Sequence, residues 1–207
     1  MPLPFDAVLL AGGRASRVGG RDKTAFLVAG TTLLDRALEA ARGARRTVVV
    51  GLRPEVVPPD GVVVTREDPP WSGPVAALAA GLVALPEPRA ARVLVLACDL
   101  PRAPEAVRAL FEGAIGSDSS ENAEGVVAVD DDGRRQPLLA LYSAPALRRR
   151  LDDLALDGSV AGLSFRRLLT DLALVEVPVP SRLCGDVDTP DDVDRLGVEW
   201  PPEPSTD

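Results

Sequence analysis

The sequence has 207 residues, 46% of them hydrophobic and 26% charged, the balance of a globular chain with room for a sizeable core. A net charge of −8 and only 3% aromatic residues exclude a basic face for phosphate backbones and stacking platforms for single strands, so no nucleic-acid partner is expected. The absence of histidine removes imidazole acid/base chemistry and histidine metal ligands. Ala7–Ala11 is a short apolar run ending on glycines, the pattern of a buried strand. Thr32–Arg42 carries apolar residues at helical spacing behind a threonine N-cap, and the β-branched runs Thr47–Val50 and Val62–Thr65 read as strands. Pro74–Leu85 reads as a helix with proline in its first turn, followed by a buried strand at Arg92–Ala97 and an amphipathic helix at Pro104–Ala114. Gly116–Glu124 is a polar, flexible loop. Beyond it lie strands at Val126–Val129 and Leu138–Tyr142, helical segments around Ala144–Leu154 and Val160–Leu172, a strand at Ala173–Val179 and a short capped helix at Thr189–Leu196.

Strands alternating with helices, with no linker between them, predict one α/β domain: a mostly parallel sheet covered on both faces in a three-layer, Rossmann-like sandwich. The domain is expected to span 1–197, with 198–207 as a proline-rich, disordered tail. No apolar run reaches the roughly 20 residues that cross a bilayer, and MPLPFDAVLL has no basic leader. Cys98 and Cys184 make no disulfide framework, so a cytoplasmic protein with no membrane partner is expected.

Ligands of such sheets sit at the carboxyl ends of strands, which draws attention to the loop after Ala11, to Asp68–Pro74 and to Asp99. The loop Gly12–Lys23 holds four glycines, the cations Arg14, Arg17 and Arg21, and Lys23, the one lysine of the chain. Glycines admit close approach of backbone N–H groups, and the cations suit a polyphosphate. The Gly-Lys-Ser/Thr of a P-loop and the G-x-G-x-x-G dinucleotide fingerprint are both absent. A solvated arginine loop is the competing reading of those residues alone.

LLAGGRASRVGGRDKTAFLVAGTTLLDRAL resembles the opening signature of nucleotidyltransferases that activate sugars and cofactors, and most of all the molybdenum cofactor guanylyltransferases. REDPPWSGPVAAL, VLVLACDLP, GRRQPLLALY and GDVDTPDDV continue that resemblance in the family's order, over about residues 6–197. It implies the nucleotide-diphospho-sugar transferase fold, with Leu10, Ala11, Gly12 and Gly13 wrapping the base and ribose. Gly12-Gly13 with Gly73-Pro74 opposite implies guanine. Arg17 and Lys23 are implied to hold the triphosphate, Lys23 meeting charge on the α-phosphate, as a compact ammonium suits. Asp68 is implied to touch the nucleoside, or else belongs to a turn before Pro69. Asp99 is implied to bind Mg²⁺ beside the phosphates, the other reading being a cap on the following helix. Asp188 is implied as a second metal ligand, although Thr189–Asp192 also reads as a helix start.

The chain departs from the family where Asp186 and Asp188 replace asparagines, where Gly51 replaces the asparagine after the second strand, and where Val18 replaces a methionine. Trp71 either covers the nucleotide or packs down on the domain. Arg134 and Gln136 lie where the second substrate enters, Arg148–Arg150 read as a solvated helix face, and Cys98 is expected buried and inert. Expected, therefore, is GMP transfer from GTP to the terminal phosphate of molybdopterin, with pyrophosphate released and molybdenum-handling or molybdoenzyme proteins as possible partners. The rivals are cytidylyl transfer, a sugar-phosphate acceptor, and a catalytically silent nucleotide-binding regulator.

Overall fold

A computed structural model describes residues 4–13, 18–87, 89–116 and 123–201. In chain order it contains β1 (Phe5–Leu10), a 3₁₀ turn at Lys23–Ala25, β2 (Leu27–Val28), β3 (Thr31–Thr32), α1 (Leu33–Ala40), β4 (Thr47–Val50), β5 (Val62–Thr65), α2 (Pro74–Ala84) and β6 (Arg92–Ala97). Then follow α3 (Ala103–Gly116), β7 (Gly125–Val129), β8 (Arg135–Ser143), α4 (Ala144–Leu156), α5 (Phe165–Leu169), β9 (Leu174–Pro178), α6 (Ser181–Cys184) and α7 (Pro190–Arg195). Among the described residues, no helix is long and apolar enough to cross a membrane.

Seven strands form one sheet in the order β5-β4-β1-β6-β8-β7-β9. All neighbours are parallel except β8, which runs against both β6 and β7. The sheet is therefore mostly parallel, as the alternation of elements predicts. Its central strands β1, β4 and β6 are mostly apolar because both faces are covered, and alternate residues feed opposite cores. Ala7 and Leu9 meet Leu34 and Ala37 of α1 and Ala106 and Leu110 of α3. Val8 and Leu10 meet Leu78 and Leu82 of α2, Leu147 of α4 and Leu168 of α5. A third, smaller core lies off the main sheet: Val18, Phe26, Val28, Leu33, Val187, Val193 and Val198.

Register decides where chemistry can sit. Leu10 pairs with Val50 and with Ala97, and Val50 with Thr65, so four strands finish level with one another. Backbone bonds extend the row past the strand ends: Ala11 N donates to Val50 O (2.9 Å), Cys98 N to Leu10 O (3.0 Å) and Gly51 N to Thr65 O (2.9 Å).

Two expectations change. The helix expected over 160–172 is only α5, because Gly158 and Gly162 have positive φ and Ser164 caps the helix at its start, its side chain accepting from Arg167 N. Asp171, at φ +70, follows its end. Residues 198–201 of the expected tail are instead seated on the domain: Leu27 and Glu199 exchange backbone bonds (3.0 and 2.7 Å), and Trp200 packs on Phe26 at 5.0 Å between ring centroids. Val198 is buried and Arg21 stacks over Trp200, so alternating apolar residues hold 198–201 onto the domain. Residues 202–207, and most of the loop expected at 116–124, lie outside the described residues.

Candidate active site

Two lobes of a cleft open beyond the level ends of β5, β4, β1 and β6. The larger, about 980 Å³, runs over Leu10–Gly13 and is walled by Lys23, Gly51, Arg53, Arg66 and Asp188. The smaller, about 470 Å³, lies beside the start of α2 and the start of β8, with Glu67, Gly73, Gln136, Leu139 and Asp186 in its wall. Leu10, Gly12, Gly13, Trp71 and Asp99 border both.

The glycines earn their places sterically. A Cβ on Gly13 would meet nothing within 4 Å, so that backbone faces open space. Gly51 sits at φ +82, and a Cβ there would fall 2.8 Å from Gly12 Cα and 2.9 Å from Gly12 N. Backbone cannot give way as a side chain can, which accounts for glycine at this position.

Lys23 is held by what precedes it. The Asp22 carboxylate accepts from Thr24 N (2.9 Å) and Thr24 Oγ1 (2.8 Å), closing the 3₁₀ turn, and lies 3.5 Å from Arg53 Nε. The turn aims Lys23 Nζ at two carboxylates: Asp99 Oδ2 at 3.3 Å, and Asp188 Oδ1 in a second, closer ion pair. Burial pulls the Lys23 ammonium's pKa down, but the hydrogen bond to Asp188 and the charges of Asp99 and Asp188 outweigh it, and the net direction is upward.

Asp99 follows β6 directly, and its carbonyl accepts from Val187 N (3.1 Å), which docks the late acidic motif against it. Asp188 is fixed by α7: Asp192 Oδ2 accepts from Asp188 N (3.2 Å), Thr189 N (2.9 Å) and Thr189 Oγ1 (2.7 Å), and Thr189 caps Asp192 N in return. The two readings of that motif therefore hold together, a capping box that also presents a carboxylate.

Oxygens of Asp99, Asp186 and Asp188 lie within 4.8 Å of one another. Crowding them has a cost: burial pushes the Asp99 carboxyl up to about 6, Lys23 pulling it down and Asp186 and Asp188 pushing it further up. Asp186 is likewise raised, by burial and by Asp188. Three carboxylate oxygens gathered beside a cleft are the donor set a hard divalent cation takes, and this cluster fits one.

The expected residues divide. Leu10, Ala11, Gly12, Gly13, Lys23, Asp99 and Asp188 meet in the larger lobe and Gly73 borders the smaller. Arg17 lies outside the described residues. Asp68 is exposed and borders neither lobe, whereas its neighbour Glu67 is buried in the wall of the smaller one. Sequence reasoning also passed over Arg53, which lies in no motif, and Arg66, which opens REDPPWSGPVAAL but was given no role. Trp71 does not pack down: it is 51% exposed at φ +67, with the Arg66 guanidinium 5.9 Å from its ring. Cys98 is buried, its thiol pKa raised by desolvation, in keeping with an inert residue.

The model of the MobA-like NTP transferase domain matches residues 7–176, which takes in the glycine loop, Lys23 and Asp99. The chain belongs to that family. It is a nucleotidyltransferase, and Lys23, Asp99 and the two lobes are that enzyme's candidate machinery. It is 30% identical to a molybdenum cofactor guanylyltransferase of Shewanella sediminis over 151 residues, 72% of this chain and 73% of the relative. Two solved structures share the transferase fold. The molybdopterin-guanine dinucleotide biosynthesis protein A of Archaeoglobus fulgidus superposes with a TM-score of 0.64 at 22% identity, covering 93% of this chain and 96% of that one. The 2-C-methyl-D-erythritol 4-phosphate cytidylyltransferase of Thermus thermophilus superposes with a TM-score of 0.63 at 20% identity, covering 94% and 97%.

Proposed function

We propose that this nucleotidyltransferase transfers GMP from GTP to the terminal phosphate of molybdopterin, releasing pyrophosphate and forming a guanine dinucleotide cofactor. The observation that carries the reading is the convergence of Lys23 and Asp188 in the larger lobe on Asp99, which borders both lobes. The family and the Shewanella relative's name supply the substrates. The reaction belongs in the cytoplasm, where free Cys98 and Cys184 stay reduced.

In this reading the GTP phosphates lie in the larger lobe toward Lys23; Gly12 and Gly13, which border both lobes, lie under the nucleoside; and the smaller lobe takes the ring of one of the two substrates. Gly12 and Gly13 offer backbone to the nucleoside without side chains in the way. Lys23 exchanges its carboxylate partners for phosphate oxygens and meets the charge that grows on the α-phosphate. Asp99, Asp186 and Asp188 would hold Mg²⁺, which supplies charge neutralisation for a polyphosphate. The attacking phosphate is already anionic, so positioning supplies most of the catalysis and the missing histidine base costs little. Attack on the α-phosphorus forms the new P–O bond as the bond to pyrophosphate breaks.

The test is pyrophosphate release with Mg²⁺ and molybdopterin, run with GTP and CTP in parallel. Turnover with GTP alone is expected. Turnover with CTP alone overturns the base, and silence with both overturns the acceptor.

A further inference from the structure

Glu67 has no task in the proposed reaction, yet its placement is costly. The residue is 9% exposed; Oε1 accepts from Trp71 N at 3.0 Å, while Oε2 is buried without a hydrogen-bond partner. Desolvating a carboxylate oxygen and leaving it unpaired is unfavourable, so such a group calls for an explanation. The other unpartnered buried carboxylate oxygen among the described residues, on Asp6 in β1, borders neither lobe. Glu67 is different because it lines the smaller lobe.

That lobe has a definite chemical character. Leu10, Pro74, Ala77, Leu100, Leu138 and Leu139 give it apolar walls. Its charged residues are Glu67, Asp99 and Asp186, and neither lysine nor arginine borders it among the described residues. Walls of this kind repel an anion and suit a flat, neutral ring that presents hydrogen-bond donors. The carboxylate supplies acceptors only.

We propose that Glu67 is the specificity residue of this lobe, its unpaired carboxylate oxygen accepting from the donor edge of a 2-amino-4-oxopyrimidine ring. That edge sets a ring N–H beside an exocyclic amine, so both groups can donate to one carboxylate. Guanine and the pterin of molybdopterin both carry it. The inference rests on the reading in the preceding subsection, because those are the two substrates named there. Oε2 is closed off from solvent in the free protein, so binding at it requires a local rearrangement of the lobe wall.

The test is binding, by titration calorimetry, of GTP, ITP, 6-hydroxymethylpterin and its 2-oxo analogue to the wild-type chain and to Glu67→Gln. ITP and the 2-oxo analogue lack the amine, and glutamine keeps an acceptor for Trp71 N while losing the charge. If Glu67 reads guanine, the wild type prefers GTP over ITP by roughly 10- to 100-fold, and Glu67→Gln loses that preference. If it reads the pterin, the same loss falls on 6-hydroxymethylpterin while GTP binding is unchanged. A wild type that discriminates neither pair overturns the proposal without recourse to a variant, as does a folded Glu67→Gln that binds all four like the wild type. Wild-type turnover, measured alongside, separates the two levels. Turnover without Glu67 dependence removes this inference alone, whereas discrimination without turnover removes the transfer reaction and leaves the ring site.

Discussion

Lys23 Nζ donates to Asp99 Oδ2 across 3.3 Å, joining residues 76 positions apart. One partner stands on a turn closed by Asp22, the other at the end of a buried strand. Neither has far to move, which is what a group meeting transition-state charge requires.

Replacing Lys23 with alanine is expected to lower kcat for pyrophosphate release by roughly 100- to 1000-fold, the loss of one preorganised donor. Lys23→Arg is expected to recover little. A planar guanidinium is a poor substitute for a compact ammonium seated between two carboxylates.

Asp99→Ala is expected to abolish Mg²⁺-dependent turnover and to weaken divalent-cation binding, followed by titrating Mn²⁺ against its electron paramagnetic resonance signal. Its Tm should stay near that of the wild type, because ionised Asp99 is disfavoured by burial and by Asp186 and Asp188.

Gly51→Ala and Gly51→Asn separate strain from crowding. Asparagine tolerates positive φ better than alanine, by up to about 1 kcal/mol. Both place a Cβ against Gly12. Steady-state kinetics should show KM for the nucleotide raised in both variants, and an asparagine variant with wild-type KM would remove the crowding argument.

Asp192→Ala should cost about 1–2 kcal/mol in urea unfolding at neutral pH, the usual loss for a cap, and should also lower kcat by loosening Asp188. Hydrogen bonds from Arg195 and then Thr189 hold the Asp192 carboxyl well below the usual carboxylate range. A depressed pKa contributes stability that is full above the unfolded value of about 3.9 and is lost as pH falls toward the folded one. The variant's stability should therefore fall less steeply than the wild type's below about pH 4.

Gly81→Ala sets two effects against each other. Helix propensity favours alanine by about 1 kcal/mol. The new methyl, however, would lie 2.5 Å from Val8 Cγ1 and 2.9 Å from Val50 Cγ2, both in fully buried residues. Overpacking of that kind costs about 1–3 kcal/mol, so net destabilisation is expected in thermal unfolding.

Much of this was legible in the sequence because the signals were local. An apolar run ending in glycine marked β1, one running into Cys98-Asp99 marked β6, and Thr189 three residues before Asp192 marked a capped helix. The antiparallel direction of β8 was not legible, since pairing is a property of two segments. The β2–β3 hairpin was too short to show a period. At the site, glycines and the lone lysine stood out by type. Glu67 did not: it sits beside Asp68 in one acidic pair, and only the folded chain shows which of the two turns inward.

The small core of Val18, Phe26, Val28, Leu33, Val187, Val193 and Val198 draws on both ends of the chain, and the turn carrying Lys23 and the motif carrying Asp188 are both seated on it. It has few members and depends on contacts between distant segments, so it is the part of the molecule with least to lose by opening. Amide exchange at Phe26, Val187 and Val193 should then share one opening free energy, lower than that of β1 and β6. The ammonium and its acidic partner would come apart in a single event while the sheet stays folded.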